Sequence, residues 1–198
     1  MCRLIETIKI SNREIQNIGY HNLRFNNSRK LLFNHSDNID LQKLIVIPEN
    51  IDNELYKCRV VYSEKIESIE FARYDRREIK TLKLIECNSI YYDYKYLDRS
   101  PISELYDQKE GCDDILIVKY GLLTDTSYCN IAFYDGKNWL TPALPLLKGT
   151  KRAKLINEKV IIEKGIRAED IGAYSKACLF NAMVDFGEMI IDIKNIKQ

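Results

Sequence analysis

Residues 121–142 read GLLTDTSYCNIAFYDGKNWLTP. Two stretches of aromatic and β-branched residues flank Asp135-Gly136, a dipeptide favoured in tight turns. The segment is therefore expected to form a β-hairpin turning at Asp135-Gly136. Upstream, DDILIVKYG (113–121) is an apolar run ended by Gly121, which reads as a strand. Downstream, PLLKGTKRAKLINEKVIIEKGI (145–166) opens with a glycine and runs into a basic, helix-favouring segment. RAEDIGAYSKACLFNAM (167–183) reads as a short helix feeding a buried strand, and EMIIDIKNI (188–196) as a last strand.

The first half carries weaker periodicity. CRLIETIKIS (2–11) reads as a strand. HNLRFNNSRKLLFN (21–34) has Leu23, Leu31 and Leu32 near helical spacing and reads as a helix. LQKLIVIPENI (41–51) is a short helix or strand ended by Pro48. LYKCRVVYS (55–63) and IESIEFARYD (66–75) are strand-like and fit a hairpin, and REIKTLKLIE (77–86) is expected to continue the same sheet. The class is α+β and strand-rich. The character of the chain changes around LDRSPISE (97–104), which gives expected domains of 1–98 and 99–198.

Bulk properties narrow the function. The chain has 198 residues and 45% hydrophobic content, enough for a packed core. Its 30 basic and 29 acidic residues leave a net charge of +1, which argues against a basic nucleic-acid binder. No apolar run approaches the roughly 20 residues that span a bilayer. The six cysteines form no CxxC pair, and neither histidine lies at a ligand spacing from them, so no metal site is expected. With no secretory signal evident, they read as reduced thiols of a cytoplasmic protein.

Four short constellations could carry chemistry. In YYDYKYLDRS (91–100), Lys95 stands among tyrosines; it is either an ordinary strand-edge charge or an amine held for covalent work. LLKGTKR (146–152) precedes a helix, whose terminal N–H groups can hold an anion. A glycine there more often serves backbone freedom alone. TDTSYCN (124–130) gathers Asp125, Thr126, Ser127 and Asn130; spacing alone favours a turn rich in side-chain to backbone hydrogen bonds. HNLR places His21 and Arg24 about one helical turn apart, with Ser28 a turn further along; the plain reading is a surface face. No Ser/His/Asp set, phosphate-binding loop or dinucleotide fingerprint is present.

The order of these pieces resembles the class IV aminotransferases, the fold-type IV pyridoxal-phosphate enzymes that include branched-chain and D-amino-acid aminotransferases and aminodeoxychorismate lyase. IETIKI followed by HNLRFNNS resembles the family's fET strand and HxxRxxxS helix. DYKY falls where the family keeps its Schiff-base lysine. GLLTDTSYCNIAFYDGKNWLTP resembles G.vtEgs.sNif...g.l.TP, LLKGTKR resembles LLpGitR, and LFNAM resembles ltNs. The resemblance runs from about residue 4 to residue 185.

It implies roles for named residues. Lys95 is the expected catalytic residue, bonded to pyridoxal phosphate. Arg24 is expected at the cofactor phosphate, and Asp125 where the family has a glutamate paired with the pyridine nitrogen. Gly149, Thr150 and Lys151 would offer backbone N–H groups to the phosphate, with Asn181 and Ala182 near it from another loop. Tyr92 and Tyr96 are candidates to pack beside the cofactor, or are simply strand residues. The implied fold is a small N-terminal α/β sandwich domain and a C-terminal barrel-like domain, in a homodimer acting on an amino acid and a keto acid. Transamination is the leading expectation, a pyruvate-releasing lyase the second, and a non-catalytic cofactor-binding or scaffold relative the third. Three departures stand out. Asp125 is one methylene shorter than the usual glutamate. The family's D.g..yGdgvf stretch does not precede the ET strand, and the C-terminal end is short.

Overall fold

The structure is a computed structural model and describes residues 2–198. The chain forms two compact units, residues 1–76 with 94–98 and residues 77–93 with 99–198. Residues 77–93, which the sequence reading groups with the N-terminal half, thus lie with the second unit, while the segment holding Lys95 lies with the first.

In the first unit, β1 (Leu4–Ser11) is flanked by β2 (Glu14–Ile15) and by β3 (Tyr56–Tyr62), which pairs on with β4 (Ile66–Arg73). All three pairings are antiparallel. Leu4, Glu6, Ile8 and Ile10 alternate along β1 to one face, as the two-residue period of a strand requires, and all four are fully buried. Helix α1 (Ile18–Phe33) packs its Phe25 ring 4.4 Å from that of Tyr62 on β3. The short α2 (Leu41–Leu44) adds Leu41 to the same core.

Helix α1 forms where the sequence predicts one, but on a different face. Leu23 and Leu31 are largely exposed, and the buried positions are His21, Phe25, Ser28 and Arg29. Those residues also follow helical spacing, at i, i+4, i+7 and i+8. Their polar groups are buried with partners: His21 meets Glu6, and Arg29 donates to Asp37 and to the carbonyl of Glu64.

The second unit begins with β5 (Leu82–Glu86), α3 (Ser100–Tyr106), β6 (Asp114–Lys119) and β7 (Leu122–Thr126). The hairpin follows as β8 (Asn130–Tyr134) and β9 (Trp139–Pro142). Then come α4 (Thr150–Asn157), β10 (Ile162–Lys164), a 3₁₀ turn (Ala168–Ala173) and β11 (Lys176–Phe180). β12 (Ile190–Asp192) and β13 (Ile196–Lys197) end the chain. One sheet runs β13-β5-β6-β7 and the other β10-β9-β8-β11-β12. β5 therefore does not extend the sheet of β3 and β4. It pairs in parallel with β6 and with β13, placing Leu82 in the second unit's core.

That core lies between the two sheets, joining Leu82, Leu116 and Leu123 to Ile131, Phe133, Ala177 and Leu179. The alternate residues Ala132, Cys178 and Phe180 face the other way and pack against Leu155 of α4. β8 and β11 are thus covered on both faces, which explains their unbroken apolar runs.

The β8–β9 hairpin has a four-residue loop, Asp135–Asn138, rather than a two-residue turn at Asp135-Gly136. The Asp135 carboxylate accepts from Lys137 N and Asn138 N, and Gly136 supplies the positive φ. The tight two-residue turn is at Tyr120-Gly121 between β6 and β7, where both residues have positive φ, the type I′ signature.

Candidate functional site

The first unit presents a buried polar cluster on β1 and α1. Glu6 has no exposed surface. Its Oε1 accepts from Arg24 Nε at 2.8 Å, and its Oε2 accepts from Arg24 Nη2 at 2.6 Å. His21 Nδ1 lies 2.6 Å from the same Oε2. Burial alone would raise the Glu6 carboxyl, but Arg24 and then His21 outweigh it and hold it down at about 2. An ionised Glu6 can only accept, so the His21 proton sits on Nδ1. Burial holds His21 below its ordinary value; Glu6 opposes this, while Arg24 and Lys95 add to it. His21 is the neutral member of the cluster.

Lys95 is half-buried, and its backbone is held against the same strand. Its carbonyl accepts from Ile5 N at 3.0 Å, Leu97 N donates to Arg3 O at 2.9 Å, and Tyr96 forms an antiparallel bridge with Leu4. Lys95 is thus pinned one residue from Glu6, close enough for its charge to act on His21. Tyr94 and Tyr96 pack on the first unit's core, with ring centroids 6.0 Å apart. Tyr92 is buried in the second unit.

The second unit brings Asp125, Gly149, Thr150, Lys151, Asn181 and Ala182 to three neighbouring segments. Asp125 is the penultimate residue of β7 and is almost fully buried. Its Oδ1 accepts from Asn130 Nδ2 at 2.8 Å and its Oδ2 from Leu147 N at 2.9 Å. Burial pushes its carboxyl up to about 6, against the opposing pull of Leu147 N, Asn130 and the Arg152 charge. Gly149 is the N-cap of α4, and no side chain caps the helix. Thr150 and Lys151 open its first turn. Lys151 Nζ makes a short ion pair with Asp185, tying α4 to the 181–185 loop.

Asn181 serves that loop internally. Its Oδ1 accepts from Met183 N and Val184 N, and its own N–H donates to Val184 O. Its Nδ2 donates to Tyr128 O at 3.3 Å, joining the loop to the segment just after Asp125. Ala182 is half-buried beside it.

Two residues of these clusters escaped the sequence reading as participants. Glu6 orients Arg24; its signal is an acidic residue in the buried register of an otherwise apolar strand. Asn130 was visible only as one member of a polar turn. Among the described residues, no group of three or more His, Cys, Asp or Glu could hold a metal ion, and no helix is long and apolar enough to cross a membrane.

The two units make an α+β protein whose fold matches that of solved fold-type IV aminotransferase structures. Residues 103–189 match the family described as amino-transferase class IV. An uncharacterised protein of Haemophilus influenzae strain Rd is 39% identical over 185 residues, covering 92% of this chain and 98% of that protein. The solved structure of a candidate 4-amino-4-deoxychorismate lyase from Haemophilus somnus is 35% identical. It aligns over 93% of this chain and 97% of its own, with a TM-score of 0.83. The PLP-bound form of a hypothetical aminotransferase from Mycobacterium tuberculosis is 15% identical over 94% of this chain and 80% of its own, with a TM-score of 0.73, and shows the shared fold alone. The chain belongs to the class IV aminotransferase family.

Proposed function

We propose that this protein is a pyridoxal-phosphate-dependent enzyme of class IV that transfers an amino group between an amino acid and a keto acid, with Lys95 as its catalytic residue. The observation that carries the reading is the buried Asp125 carboxylate, held by Asn130 and Leu147 N beside an uncapped helix end. The donor set fits the cofactor. A buried carboxylate suits a pyridine nitrogen, and uncapped helix amides with an oriented guanidinium suit a phosphate dianion.

When bound, pyridoxal phosphate supplies an electron sink for the carbanion at the substrate's α-carbon. The chain's residues do the rest. Lys95 supplies the amine that holds the cofactor and then serves as the base for the substrate's α-proton. In the first unit Arg24, its plane fixed by Glu6, would suit the cofactor phosphate, and in the second unit the amides of Gly149, Thr150 and Lys151 would suit it. Asp125, ionised, favours a proton on the ring nitrogen. Asn181 and Ala182 would stand near the phosphate on the loop that the Lys151–Asp185 pair ties to α4.

A second reading is a lyase that releases pyruvate from 4-amino-4-deoxychorismate. The 35% identity to the Haemophilus somnus protein, spanning nearly the whole of both chains, favours it. Incubation with amino donors and, separately, with 4-amino-4-deoxychorismate, each with and without keto acids, separates the two. Turnover that needs an acceptor supports transfer, and pyruvate released without one supports the lyase. Protein that stays colourless with added pyridoxal phosphate, or from which borohydride fixes no cofactor on Lys95, overturns both.

A further inference from the structure

The Asn130 amide makes three contacts that join Asp125 to the Gly149 turn. Its Nδ2 donates to Asp125 Oδ1 at 2.8 Å and to the Leu147 carbonyl at 2.9 Å. Leu147 N returns a hydrogen bond to Asp125 Oδ2 at 2.9 Å, which closes a ring through three residues. On its other side, Asn130 Oδ1 lies against Gly149, so close that a Cβ built there would stand 2.0 Å from it. Gly149 has an ordinary φ of −66°. The glycine is therefore required by the space Asn130 fills and not by backbone conformation.

We infer that Asn130 is a positioning residue that locks the Asp125 carboxylate to the Gly149 turn, so that the group facing the cofactor's ring nitrogen and the helix end facing its phosphate stand at a fixed spacing. The inference rests on the function proposed above for those two sites. The residue type follows from the geometry. An aspartate would face Asp125 with a second negative charge. A serine or alanine would not span from the carboxylate to the Leu147 carbonyl, and a glutamine carries an extra methylene toward a turn that lacks room for one.

Removing Asn130 also removes a hydrogen bond to the ionised form of Asp125, which fixes the direction of the test. In Asn130→Ala, the Asp125 carboxyl of the cofactor-free protein, followed by carbon NMR, should titrate higher than in wild type. Pyridoxal phosphate should bind roughly tenfold to a hundredfold more weakly, the loss expected for one hydrogen bond to a charged group. The pH dependence of the bound cofactor's absorbance should shift as well. Gly149→Ala should displace Asn130 and move the same titration upward, and Asn130→Ser with Gly149→Ala should tolerate the added methyl better than Gly149→Ala alone. Should Asn130→Ala not fold, Gly149→Ala reads the same link from the other side. An Asp125 titration unchanged in the folded variants overturns the inference. Wild-type protein that binds no cofactor, yet shows the shifted Asp125 titration in the variants, would sink the proposed function and leave the Asp125–Asn130 link standing.

Discussion

Arg24 grips Glu6 with two hydrogen bonds, Nε to Oε1 at 2.8 Å and Nη2 to Oε2 at 2.6 Å. A two-point contact fixes the plane of the guanidinium as well as its position. Glu6 is fully buried while the Arg24 side chain keeps 15% of its surface exposed. The strand thus sacrifices one buried apolar position to aim a cation, and His21 completes the shell around the carboxylate.

That arrangement makes acid stability depend on Glu6. Its folded value, about 2, lies below the ordinary 4.5. A depressed carboxylate contributes stability above its unfolded value and loses it as pH falls toward the folded one. The shift corresponds to roughly 3 kcal/mol, lost between about pH 4.5 and 2. Glu6→Gln should weaken the protein at neutral pH, because Arg24 loses its counter-charge, and should flatten the acid limb. Urea unfolding across this range measures both. Parallel acid limbs for wild type and variant would refute the assignment.

Asp125 has the opposite sign. Its folded value is raised from 3.8 to about 6, so its ionisation opposes folding. The protein should be most favoured, as far as this group goes, below 3.8 and should lose up to roughly 3 kcal/mol as pH rises through about 6. Asp125→Asn removes that dependence. In cofactor-free protein, the stability of the variant relative to wild type should climb with pH across this window. The variant also sets an amide N–H against Asn130, which costs roughly 1–3 kcal/mol at every pH. A constant difference across the window would show that Asp125 is not the titrating group.

Much of this was legible in the sequence, and the gaps have physical causes. The apolar runs of β6, β8 and β11 are buried on two faces, so composition alone marks them as strands. The α1 helix was visible, but its leucines pointed to the wrong face, because the buried face is built from paired polar groups that a hydrophobicity pattern does not register. REIKTLKLIE looked like a continuation of the preceding hairpin because strand partners are set by contacts distant in sequence, here with β6 and β13. The glycine of LLKGTKR was readable as a helix start. That it makes room for Asn130, nineteen positions earlier in the chain, was not.

The cysteines give a prediction that tests burial directly. Cys2 is exposed and Cys87 half-buried, while Cys58, Cys112, Cys129 and Cys178 are buried. Burial pushes the Cys58 thiol up to about 12 and Cys178 to about 11, and raises Cys129 well above its ordinary value. Because the thiolate is the reactive form, iodoacetamide should label Cys2 first and Cys87 next in the native protein. The other four should react only after unfolding. Labelling of Cys129 in folded protein, read by peptide mass spectrometry, would contradict the packing around Asp125.

Arg152 anchors the helix whose start is proposed to meet the phosphate. It is 4% exposed, and its Nη2 donates to Pro142 O at 2.8 Å and to Glu163 Oε1 at 2.7 Å. It thereby fastens α4 to the end of β9 and to β10. Arg152→Ala should cost roughly 3 kcal/mol, since it strands a buried carbonyl and removes a packed stem. Both bonds come from the one Nη2, so Arg152→Lys, whose ammonium carries three donors on a shorter stem, should recover part of this and fall short of wild type through lost reach and packing. Glu163→Gln should cost at most about 1 kcal/mol, since that carboxylate is 48% exposed and screened by water. The Arg152 charge also helps keep Asp125 ionised. Both Arg152→Ala and Asn130→Ala should therefore raise the Asp125 titration, and Glu163→Gln, which leaves Arg152 in place, should not. If Glu163→Gln proved as costly as Arg152→Ala, the ion pair and not the anchor to Pro142 would hold α4 in position.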